Sequence, residues 1–80
     1  MVVVRLFAQV RELAGTSAIQ LELPDDARAA DVASAIVERF PLVAPLMPSA
    51  RIAINRAFAD ADTPIRVGDE VAVIPPVSGG

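Results

Sequence analysis

Eighty residues with a formal net charge of −3 and neither histidine nor cysteine make one small domain with little chemistry of its own. The commonest general base and metal ligand, the thiolate nucleophile and any disulfide are excluded, and the acidic balance argues against nucleic acid as a partner. All seven basic residues are arginine, so no side-chain amine can form a Schiff base or accept an isopeptide bond.

Residues 2–8 (VVVRLFA) open the chain as a β-rich run. Arg5 interrupts its apolar stretch and no small-residue cleavage site follows, so a first strand is expected there and not a signal peptide. No apolar run approaches the roughly 18 residues of a membrane span, and a soluble cytoplasmic protein is expected. Residues 18–23 (AIQLEL) alternate apolar and polar, with Ala14-Gly15-Thr16-Ser17 as the turn of a hairpin. From residue 29 to 40 the period becomes helical: Val32, Ile36, Val37 and Phe40 recur on one face. Asp31 suits the positive end of that helix, Arg39 the negative end, and Pro41 stops it. The proline-punctuated stretch 41–49 is expected to be a loop. Residues 51–55 (RIAIN) alternate again, 57–59 form a short strand, Gly68-Asp69 a turn, and 71–74 (VAVI) the last strand.

The expected order is β-β-α-β-β-β in one domain, 1–80, with an extended tail at 75–80. One main helix covers one face of a mixed sheet of about five strands, an α+β, β-grasp (ubiquitin-like) layout. The first and last strands are apolar enough to be its central, parallel pair.

Strand parity then sorts the side chains. Val2, Val4, Leu6, Ile52, Ile54, Val71 and Val73 suit the covered face. Arg5, Phe7, Arg51, Ala53, Asn55, Ala72 and Ile74 turn the other way, and Phe58 has no core role. Phe7, Phe58 and Ile74 therefore make an exposed apolar patch, floored by alanines and edged by Arg5, Arg11 and Arg51, which marks a site for a protein partner. The alternative is that one or more of them packs under a loop. Arg11 either pairs with an acidic partner residue or is a solvated rim charge worth at most about 1 kcal/mol. Asp60, Asp62, Asp69 and Glu70 follow no calcium-loop spacing and are explained as turn residues, so no metal site is expected.

The tail has its own logic. Pro75-Pro76 cannot donate hydrogen bonds and keeps the backbone extended. Val77 offers one anchor, and Ser78-Gly79-Gly80 has so little bulk that it can enter a narrow site. Its reactive group is the carboxylate of Gly80, ionised at neutral pH with a pKa of about 3.5 and a poor electrophile until an ATP-dependent enzyme activates it.

Three stretches carry a resemblance: 7–15 (FAQVRELAG), Asn55 after RIAI, and 68–80 (GDEVAVIPPVSGG). Through them the chain resembles, over essentially its whole length, the small sulfur-carrier subunits of molybdopterin synthases. The resemblance implies that Gly80 is adenylated by a ubiquitin-activating-like adenylyltransferase and converted to a thiocarboxylate. The tail, with Gly79 beside the reacting carbon, would enter the large subunit of a heterotetrameric synthase. There it would donate sulfur to cyclic pyranopterin monophosphate to form the dithiolene of molybdopterin. Phe7, Arg11, Phe58, Ile74, Pro75, Pro76, Val77 and Ser78 would meet partners. The chain itself would bind no cofactor, ATP being used by the activating enzyme, and the catalytic residues would belong to the large subunit. Other readings remain at this level: a sulfur carrier for thiazole or cysteine synthesis, a ubiquitin-like modifier joined to target lysines through Gly80, or an interaction module with an inert tail.

Overall fold

The structure, a computed structural model, describes residues 1–76. Five strands, β1 (Val2–Leu6), β2 (Ala18–Leu21), β3 (Arg51–Ile54), β4 (Ala57–Ala59) and β5 (Glu70–Ile74), form one sheet in the order β2-β1-β5-β3-β4. β1 and β5 run parallel at its centre, with Val4 opposite Val71 and Leu6 opposite Val73. The remaining pairs, β1–β2, β3–β5 and β3–β4, are antiparallel. A mixed sheet with a helix packed on one face is the β-grasp arrangement expected from the sequence.

Helix α2 (Ala29–Arg39) lies across the covered face. Its Asp31 carboxylate accepts the Arg28 backbone N–H at 2.8 Å, satisfying an orphan donor of the first turn. Val32 and Ile36 are fully buried beneath it, against Val4, Leu6, Val71 and Val73. The segment after β4 crosses back to the start of α2. There the Ala29 N–H donates to the Thr63 carbonyl and the Ile65 N–H to the Ala27 carbonyl, both at 2.9 Å, with Ile65 buried.

Two expectations need correction. The first strands are not joined by a simple turn: β1 stops at Leu6, and a second helix, α1 (Ala8–Ala14), stands between β1 and β2. AQVRELA consists mostly of good helix formers. The helix buries Val10 and ends at Gly15, whose φ of 77° lets its N–H close on the Arg11 carbonyl at 2.9 Å. Seven residues with one buried side chain leave no helical period to detect.

The stretch Pro41–Ser49 is likewise not a loop but a 3-10 helix. Proline's fixed φ suits it, and each proline lacks only a donor that such a short, irregular helix can do without. Val43, fully buried, pins it to the core.

Candidate functional site

On the uncovered face the registers place a row of side chains across the sheet. Arg5 of β1 stands opposite Ala72 of β5, which stands opposite Ala53 of β3, which stands opposite Phe58 of β4. One step along, Ile74 faces Arg51. Phe7 follows the last residue of β1. This set closes around a shallow cavity of about 260 Å³ lined by Phe7, Ala53, Arg56, Phe58, Glu70, Ala72 and Ile74. The three apolar residues singled out from strand parity therefore meet at one place, over an alanine floor. Phe58 is 61% exposed and Phe7 43%, so neither is packed under a loop. The floor is tighter than parity alone indicated: Ala53, though on the open face, is buried.

The rim differs from the expected one. Arg51 lies diagonally across from Phe58, and its guanidinium sits over the ring, 4.3 Å from the centroid, within cation–π range. Arg5 shares the face. Arg11 is exposed on α1 and does not line the cavity. Arg56 and Glu70 line it instead: the sequence reading did not single out Arg56, and Glu70, expected to be a turn residue, is the first residue of β5. Arg56 has the same strand parity as Phe58, which was the available signal.

The β3–β4 connection explains how Arg56 arrives there. Asn55 and Arg56 both have left-handed backbones, with φ of 52° and 71°, the pattern of a type I′ hairpin turn. Asn55 also ties this turn to the start of β5. Its backbone N–H donates to the Glu70 carbonyl at 2.7 Å, and its side-chain oxygen accepts the Glu70 N–H at 2.9 Å. Its amide nitrogen donates to the Asp69 carboxylate at 3.0 Å. The other carboxylate oxygen of Asp69 accepts the Arg66 N–H at 2.8 Å, closing a turn in which Gly68 takes φ 92°. The Arg66 N–H, then the Asn55 amide, hold the Asp69 carboxyl below the ordinary aspartate pKa. Asn55 and the Gly68-Asp69 pair are thus a clamp that fixes the rim of the cavity.

β5 leads from the cavity wall into the tail. Pro75 is buried and Pro76 exposed, so the backbone leaves the body one residue later than the expected start of the tail. Val77, Ser78, Gly79 and Gly80 lie outside the described residues. Among the described residues no helix is long and apolar enough to cross a membrane, and no cluster of carboxylates suits a metal ion.

The ThiS family model matches residues 4–80. A Haemophilus influenzae protein named molybdopterin synthase sulfur carrier subunit is 38% identical over 79 residues, covering 96% of this chain and 96% of its own. The crystal structure of SAMP1 from Haloferax volcanii superposes with a TM-score of 0.87 at 28% identity, covering 99% of this chain and 98% of the other. A chain in the complex of subunits 1 and 2 of molybdopterin-converting factor from Helicobacter pylori superposes with a TM-score of 0.69 at 25% identity. It covers 99% of this chain and 97% of that one.

Proposed function

This chain belongs to the ThiS family, and we propose that within it the protein is the sulfur carrier of molybdopterin synthesis, working in the cytoplasm. The single observation that carries the reading is that the apolar cavity formed by Phe7, Phe58 and Ile74 lies at the root of a Gly-Gly tail. A rigid body would dock through that cavity while Pro75-Pro76 directs the tail into the partner. The naming of the Haemophilus influenzae relative and the Helicobacter pylori two-subunit complex support the choice of pathway and of a large synthase subunit as partner.

The chemistry follows from the tail's one functional group. A carboxylate oxygen of Gly80 attacks the α-phosphate of ATP on an adenylyltransferase, expelling pyrophosphate and leaving an acyl-adenylate. Hydrosulfide released by a donor then attacks the acyl carbon, forming the C–S bond, expelling AMP and losing its proton, which leaves a thiocarboxylate. In the large subunit that sulfur passes to cyclic pyranopterin monophosphate, and water returns Gly80 to a carboxylate. Gly79 and Ser78 keep the approach narrow, Val77 anchors it, and Arg11, exposed on α1 outside the cavity lining, pairs with an acidic partner residue. No cofactor is held by this chain, which positions a substrate for catalytic groups located elsewhere.

Purified thiocarboxylated chain mixed with the large subunit and cyclic pyranopterin monophosphate is expected to yield molybdopterin, with loss of sulfur from the chain. Retention of the sulfur with an active large subunit would overturn the assignment to this pathway. SAMP1 of Haloferax volcanii, whose fold this chain shares, is named a small archaeal modifier protein, and that name supports the modifier reading. Covalent adducts of Gly80 on lysines of other proteins would favour that reading.

A further inference from the structure

Guanidinium groups gather at the cavity on the open face of this chain of net −3: Arg56 lines it opposite one lining carboxylate, Glu70, Arg51 stacks on its Phe58, and Arg5 shares the face. Among the described residues, guanidinium hydrogen bonds are made by Arg28 to the Asp62 carbonyl and by Arg39 to the Gln20 carbonyl. Arg51 and Arg56 make none there. Arg51 is instead held over the Phe58 ring, which fixes its direction without using its five N–H donors.

Arg56 is the more telling of the two. It occupies the second central position of the turn at φ 71°, where glycine is the relaxed choice and a side chain is strained. Its side chain lines the cavity beside Phe58 and Ile74. The clamped hairpin turn holds that backbone in place, and the side chain it sets in the cavity wall makes no guanidinium hydrogen bond among the described residues, which leaves its donors for a contact outside the chain.

We propose that Arg51 and Arg56 make the cavity a reader of carboxylates, gripping an acidic segment of the partner protein on either side of Phe58. The occupant is an apolar side chain flanked by Asp or Glu, the apolar group entering between Phe7, Phe58 and Ile74. Guanidinium–carboxylate pairs beside an apolar contact are charge-assisted and directional, and they raise association rates in low salt. The inference rests on the carrier reading for its choice of partner, but not for its chemistry.

The test is binding of the intact chain to the large synthase subunit, and separately to the activating enzyme, across a series of salt concentrations. The variants are Arg51→Gln, Arg56→Gly and Arg56→Lys. Arg51→Gln and Arg56→Gly are each expected to weaken binding to at least one partner by roughly five- to tenfold and to flatten its salt dependence. Arg56→Lys, which keeps the charge, should retain most of the affinity. Arg56→Gly should meanwhile keep or raise the Tm by a few degrees, because the turn relaxes, so its lost binding cannot be ascribed to misfolding. Binding by both neutral variants that matches the unaltered chain at every salt concentration would overturn the proposal alone and leave the carrier reading standing. Absence of binding by the unaltered chain to either partner would overturn both. A self-associating chain whose dimer is broken by Arg51→Gln would place a second copy in the cavity and also overturn the proposal.

Discussion

Neighbouring residues of the same strands live in different surroundings. Val4, Leu6, Val71 and Val73 are sealed under the helices, whereas Ala72 and Ile74, one position away, line an open cavity whose face Arg5 shares. The covered face is uniformly apolar and contains no buried polar or charged residue. The open face mixes aromatic rings, small residues and guanidinium groups. One face supplies the free energy of folding, and the other can vary without endangering it because its side chains contribute little to the core. A domain this small can thus present a recognition surface that is apolar at its centre and still remain folded.

The largest effect is expected beyond both faces, in the tail. Changing Gly80 to Trp, or adding one residue after it, should abolish sulfur transfer while leaving the Tm where it was. Full activity in either variant would remove the tail from the account. On the covered face, Ile36→Ala should cost about 3 kcal/mol in denaturant unfolding, since a fully buried side chain leaves a cavity. Affinity of the folded fraction for the large subunit should not change, and a matching loss of affinity would show that the two faces are not separable.

The reciprocal experiment sharpens the comparison. Phe58→Ala should weaken partner binding by about ten- to a hundredfold, as expected of a central apolar anchor. Its effect on stability should stay below about 1 kcal/mol, because the ring is largely exposed and its specific contact is the stacked Arg51. Stability lost to the same extent as in Ile36→Ala would contradict the division of labour.

How far this division was legible depended on the element. Strand parity separated the two faces because burial alternates along β1, β2 and β5, and the long apolar period of α2 could not be mistaken for a strand. Phe7, Phe58 and Ile74 followed from the same alternation. Helix α1 was hidden because one buried residue, Val10, gives no period, and because the β-branched run before it masks the boundary at Leu6. The 3-10 helix was hidden because proline signals a break whether or not a tight helix follows. Arg56 was missed for another reason: its position is set by a left-handed backbone, which glycine would have advertised and arginine does not.

The smallest effect concerns the clamp at the cavity rim. Asp69 has a depressed pKa when folded, so the unfolded chain binds its proton more readily, and the carboxylate adds stability above the ordinary aspartate pKa. That contribution should fade as the pH falls through the depressed value. In Asp69→Asn the stability measured over this acidic range should depend less on pH, and an unchanged profile would show that the clamp does not act through the charge.

The most direct test of the central claim is the intact mass of the chain after incubation with ATP, a sulfur source and the ubiquitin-activating-like enzyme of the same organism. Replacement of one oxygen by sulfur, mapped by fragmentation to Gly80, is the predicted result. A chain of unaltered mass, with an activating enzyme shown to be active on another carrier, would contradict it.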